Sequence, residues 1–109
     1  MAFSCGAKKV KGSRNVTTEK TRLADFHSVE IGGDFEVTLK QGSTAMMEVE
    51  ADDNLHRIIR GEVVDQVLYL KPTKKIGRSK SQEITLTYPQ NLEKITVSGN
   101  TELEADEDL

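Results

Sequence analysis

From Phe26 onward, apolar and polar residues alternate with a period of two, the pattern of strands buried on one face. Val29 and Ile31 share a face of the first run, and Phe35, Val37 and Leu39 share a face of the second. Met47, Val49 and Ala51 alternate with Glu48 and Glu50, and Ile84, Leu86 and Tyr88 alternate with Glu83, Thr85 and Thr87. Ile95 and Val97 close the series. Between the runs stand Gly32-Gly33, Gln41-Gly42-Ser43, Pro89-Gln90-Asn91 and Ser98-Gly99-Asn100, residues that mark turns. Short strands at this spacing predict a mainly β fold.

Two stretches depart from the alternation. Leu55, Ile58 and Ile59 recur at helical spacing, with Asp52-Asp53-Asn54 before them as candidate N-caps and Gly61 behind as a C-cap. They predict one short helix near residues 53–60. Val63-Val64 and Val67-Leu68-Tyr69-Leu70 then flank Asp65-Gln66, which reads as a hairpin. Its turn is imperfect, because Gln66 stands where glycine is preferred. Residues 71–81, polar and basic with Pro72 and Gly77, read as a loop. Residues 1–14 carry few apolar side chains and are expected to be a linker or tether, with residues 15–109 as the β-domain.

A gapless internal repeat adds topology. Residues 26–37 overlay residues 92–103 with apolar on apolar, Gly33 on Gly99 and Asp34 on Asn100. Both copies spell strand, tight turn, strand, the unit from which solenoids are stacked. The second copy breaks off among acids near Leu109, so a domain truncated at its C-terminus is expected.

Composition narrows the class. Only 5% of residues are aromatic and none is Trp, so the core must rest on Val, Ile and Leu, which suit pleated sheets. A net charge of −3 gives no global basic field, so nucleic acid is not an expected partner. No stretch reaches the roughly 20 apolar residues of a transmembrane helix. Cys5 is the only cysteine, which rules out an intrachain disulfide.

Taken in order, Gly12-Ser13-Arg14-Asn15-Val16, residues 26–37, Val49-Glu50-Ala51-Asp52-Asp53-Asn54-Leu55 and Ile95-Thr96-Val97-Ser98-Gly99 resemble a family. It is the putative auto-transporter adhesin, head GIN domain family of bacterial envelope lipoproteins. The resemblance implies the N-terminal part of a right-handed parallel β-helix or β-roll, exported and held at the cell envelope. It departs from the family at Gln66, and the glycine-rich rungs expected after residue 99 are missing. Ala2-Phe3-Ser4-Cys5-Gly6 is similar to the end of a bacterial lipobox, whose cysteine becomes the lipidated N-terminus. The apolar signal segment of a lipobox does not precede it here, so lipid on Cys5 is expected of a full-length protein. It would tether the domain through residues 1–14, and it is the only membrane contact expected.

Candidate chemistry is sparse. His27 on a polar strand face and His56 on the short helix read as surface histidines, and two histidines without a spaced carboxylate make no metal triad. Asp52-Asp53-Asn54 lacks the bidentate Glu and the loop glycine of a calcium site, and helix capping explains it more simply. Glu48 and Glu50 lie two apart on one solvated strand face. No catalytic constellation, cofactor loop or metal motif is present, so no enzyme and no cofactor is expected.

The expectation is a non-enzymatic, adhesin-like binding or structural module of the cell envelope, on the outer membrane, facing the periplasm or the cell surface. Thr85 and Thr87 with Lys94 and Thr96 would line one outer ladder able to meet a surface polysaccharide or an envelope protein. Exposed strand edges would allow a homo-oligomer. The alternatives are a carbohydrate-active β-helix enzyme with its catalytic residues beyond residue 109, and a passive stalk.

Overall fold

The computed structural model describes residues 9–89, 91–99 and 101–106. The strands are β1 (Val16–Arg22), β2 (Ser28–Ile31), β3 (Glu36–Gln41), β4 (Met46–Asp52), β5 (Ile59–Val64), β6 (Val67–Pro72), β7 (Gln82–Tyr88), β8 (Lys94–Val97) and β9 (Glu102–Asp106). They form two mixed sheets, one ordered β1-β4-β7-β3-β9 and the other β5-β6-β2-β8.

The internal repeat is a physical stack. β2 pairs in parallel with β8, and β3 with β9, each residue facing the one 66 positions on: Ser28 faces Lys94 and Glu36 faces Glu102. This is the offset of the gapless overlay. β6 and β7 make a third rung on the other side of β2 and β3, also parallel and in register. Each rung lends one strand to each sheet. The turns stack as well. Gly33 and Gly99 both have positive φ, 104° and 81°, and a Cβ on Gly99 would come 2.7 Å from the Gly33 carbonyl oxygen. The Thr101 hydroxyl locks the pair, donating to the Gly33 carbonyl at 2.6 Å and accepting from the Phe35 N–H at 3.3 Å.

The mainly β expectation holds, but the sheets are not uniformly parallel. Beyond the three rungs, β4 and β5 pair antiparallel to β7 and β6, and β1 adds antiparallel to β4. The core lies between the sheets. Phe26, Val29, Ile31, Phe35, Val37, Leu68, Leu70, Ile84 and Leu86 are buried there, as the alternation required.

Three expectations are corrected. The short helix is a 3-10 turn, Asp53–Ile58, and Ile59 already begins β5. Asp52 occupies its N-cap position but makes no side-chain capping bond. Gly61 is not a C-cap; it lies inside β5, where a Cβ would meet the Met47 sulfur at 2.5 Å. The hairpin at Asp65-Gln66 does form, with both residues left-handed at φ 53° and 65°. The Gln66 carbonyl accepts from the His27 N–H at 2.9 Å, so this turn also carries the start of β2.

Residues 9–14, read on sequence as linker, are hydrogen-bonded to the loop between β6 and β7. The Val10 N–H donates to the Lys75 carbonyl at 2.7 Å, and the Gly12 N–H to the Arg78 carbonyl at 2.8 Å.

Candidate binding face

Strand pairing assembles the molecule's densest chemistry on the outer face of the five-stranded sheet. Glu50 faces Glu83, Glu83 faces Glu36, and Glu36 faces Glu102. Four glutamates from β4, β7, β3 and β9 thus form one row across adjacent strands, all exposed. Neighbouring strands sit about 4.8 Å apart, so the row spans about 14 Å. The next row along the strands reads Lys20, Glu48, Thr85, Thr38, Glu104. A shallow groove of ≈ 150 Å³ runs over Glu36, Thr38, Glu83, Thr85, Glu102 and Glu104. Like charges directly opposite each other destabilise a sheet, so this arrangement costs stability unless something cationic or hydrogen-bonding meets it.

The sequence reading found this face only in part. Glu48, Glu50, Thr85 and Thr87 lie on it, as the period of two demands. Lys94 and Thr96 do not; β8 belongs to the other sheet, so the single ladder expected from these residues is split between two sheets. Glu36, Glu83 and Glu102 were not singled out. The overlay that stacks residue 36 on residue 102 was the signal available for that pair.

The other candidates have structural roles. Asp52 is fully buried, and its carboxylate accepts from the Arg14, Lys80 and Ser81 N–H groups at 2.8, 2.9 and 3.0 Å. Burial pushes its pKa up, but the N–H groups of Ser81, Lys80 and Arg14 outweigh that and hold it below the ordinary aspartate value. Asp53 accepts from the Ser13 hydroxyl and from the Asn15 amide. Its pKa is lowered chiefly by the Ser13 hydroxyl, then by Asn15. The Asn54 amide donates to the Lys11 carbonyl at 2.8 Å. The triplet therefore clasps residues 11–15 onto the body.

His27 is half-buried, its Nδ1 3.0 Å from the Ser28 hydroxyl. His56 contradicts its surface assignment: only 6% of its side chain is exposed, wedged against β1, with Nε2 3.0 Å from the Thr17 carbonyl. Among the described residues no group of three or more His, Cys, Asp or Glu is arranged to hold a metal. None of the described helices is long and apolar enough to cross a membrane. Cys5 lies outside the described residues.

The described residues thus form a two-sheet stack of strand-turn-strand rungs with a charged outer face. Residues 25–109 match the family model described as "Putative auto-transporter adhesin, head GIN domain", and the chain belongs to that family. A solved adhesin-like protein from Parabacteroides merdae ATCC 43184, described as a putative adhesin, is 25% identical with a TM-score of 0.81. The match covers 92% of this chain and 42% of that one. A putative adhesin from Parabacteroides distasonis ATCC 8503 is likewise 25% identical, with 90% and 42% covered and a TM-score of 0.80. A putative lipid binding protein from the same strain, 18% identical with 90% and 44% covered, shares the fold at a TM-score of 0.80. The chain therefore spans less than half the length of these solved relatives. No curated protein matches it.

Proposed function

We propose that this chain is a non-enzymatic, adhesin-like module of the bacterial cell envelope that binds a basic protein surface through the outer face of its five-stranded sheet. The row Glu50, Glu83, Glu36, Glu102 carries the reading. It concentrates negative charge on a rigid platform at a cost in folding stability, and a partner bearing Lys and Arg relieves that cost. Thr38 and Thr85 in the adjoining row supply hydrogen-bonding hydroxyls. The family and its adhesin relatives support the general class.

Three finer elements belong to the same proposal. A lipid on Cys5 of the full-length protein anchors it at the outer membrane. Residues 15–109 are the N-terminal part of a longer domain. The parallel rungs β6–β7, β2–β3 and β8–β9 are the start of a β-helical stack.

The binding test uses beads coated with the chain or with a Glu36→Gln, Glu83→Gln, Glu102→Gln triple variant, offered to whole envelopes and to isolated envelope polysaccharide. Protease-sensitive capture of envelopes that the triple variant loses supports the proposal. Equal capture by both proteins, or capture only of polysaccharide, overturns it. The anchor is tested by radiolabelled palmitate in a bacterial host expressing the full-length gene. Label that Cys5→Ala abolishes supports the lipid, and unlabelled protein in the soluble fraction refutes it.

A further inference from the structure

Two basic segments far apart in sequence are bound side by side. Residues 9–14 and 71–80 hold eight of the chain's 15 Lys and Arg, and no Asp or Glu. Val10 and Ile76 form a parallel bridge, and the Gly77 N–H donates to the Val10 carbonyl at 2.8 Å. Both apolar side chains pack against the core, so backbone alternation turns Lys9, Lys11 and Lys75 out to solvent. Farther along, Arg14 and Lys80 both donate their N–H groups to the Asp52 carboxylate, which brings those two residues together. Lys9, Lys11, Arg14, Lys75, Arg78 and Lys80 are all exposed. In a chain of net charge −3, folding merges two cationic stretches into one surface against their mutual repulsion.

This surface has a seat and a border. A cavity of ≈ 280 Å³ is lined by Lys9 and Lys75, with Pro72 and Ile76 as its apolar wall and Asp34 as its carboxylate. Toward the five-stranded sheet, Lys80 meets Glu36 and Glu83 around a second hollow of ≈ 200 Å³, and the positive surface ends there. Neither basic segment carries an aromatic side chain on which a base could stack.

We infer that this basic surface lies on an anionic phospholipid membrane, its ammonium and guanidinium groups meeting the headgroup phosphates. Clusters of this size bind such membranes through charge density and need no shaped pocket for each lipid. Position selects the occupant. Lys9 follows Cys5 by four residues, at most about 14 Å of extended chain. A lipid on Cys5 therefore brings the patch to a distance comparable with the Debye length of about 10 Å at 0.1 M salt. The choice of a membrane rests on the lipid proposed for Cys5; the positive surface itself does not. The same headgroups repel the glutamate row and tilt the outer sheet face away from the membrane.

Co-sedimentation of the unlipidated 109-residue protein with vesicles reads the patch alone, whereas palmitate labelling reads the anchor, so the two failures are distinct. In about 50 mM NaCl the protein should bind phosphatidylcholine vesicles containing about 30% phosphatidylglycerol and ignore pure phosphatidylcholine. Raising NaCl to about 500 mM should weaken binding at least about tenfold. The triple variant Lys75→Gln, Arg78→Gln, Lys80→Gln should also bind at least about tenfold more weakly. The control Lys20→Gln, Arg22→Gln, Lys40→Gln removes the same charge toward the opposite ends of β1 and β3, and should bind as the wild type does. Far-UV circular dichroism confirms that each variant is folded. Equal loss in both triple variants, or equal binding to neutral vesicles, overturns the inference. So does tighter binding to soluble polyglutamate than to the vesicles, which would mark an acidic protein as the partner. Vesicle binding abolished by inorganic phosphate at constant ionic strength overturns it too, and would assign the cavity to a free anion.

Discussion

Asp52 is where a single side chain decides the path of a segment. Its carboxylate takes N–H groups from two stretches remote in sequence, Arg14 on one side and Lys80 and Ser81 on the other. Gly12 passes so close that any Cβ there would collide with that carboxylate. Removing the acceptor leaves three donors stranded, so Asp52→Ala should destabilise the fold by about 3 kcal/mol in urea unfolding. The folded-state pKa of Asp52 is depressed, so its contribution is complete above the ordinary aspartate pKa and is lost as pH falls through the folded value. Asp52→Asn should accordingly flatten the acid limb of the stability profile below about pH 4, measured by melting temperature against pH. Sequence alone assigned Asp52, Asp53 and Asn54 to a helix cap, since Asx residues before an apolar run are common caps. What it could not convey is that residues 11–15 arrive from 38 or more positions away to take those side chains instead. Gln66 is the opposite case, because its strain was legible. A non-glycine residue at φ 65° costs about 1 kcal/mol, so Gln66→Gly should stabilise the hairpin by about 0.5–1 kcal/mol, read from the same denaturation curves.

At the scale of elements, legibility followed amphipathicity. The strands that bury one face were found from their alternation, and the overlay of residues 26–37 on 92–103 anticipated a stacking register that the structure reproduces residue for residue. The third rung escaped because its two strands, β6 and β7, are separated by the loop at residues 73–81, where the other rungs have a short glycine turn. β1 escaped for a different reason: VTTEKTR is polar on both faces and leaves no period to detect. It is held by backbone pairing to β4 and by His56, whose ring is clamped against Thr17. The glutamate row was invisible because register, not composition, puts Glu83 between Glu50 and Glu36. Relieving that repulsion makes a prediction at this scale. Glu83→Gln should raise stability by about 0.5 kcal/mol at low salt, and the gain should shrink as ionic strength rises. A loss of stability, or a gain indifferent to salt, would show that the row is not electrostatically strained.

The described residues form a stack of three parallel rungs with antiparallel strands on one side. Its radius of gyration of 14.5 Å exceeds the roughly 13 Å of a compact chain this long. In such a stack each rung is stabilised mainly by its neighbours, so stability should grade along the axis. The rung β2–β3 has neighbours on both sides, while β8–β9 has one and leaves its apolar residues open. Amide hydrogen exchange should therefore be slowest in β2, β3 and β7 and fastest in β8 and β9, where opening needs only part of the global unfolding energy. Protection in β8 and β9 equal to that of β2 at low concentration would mean that the stack is stabilised as a whole, and not rung by rung.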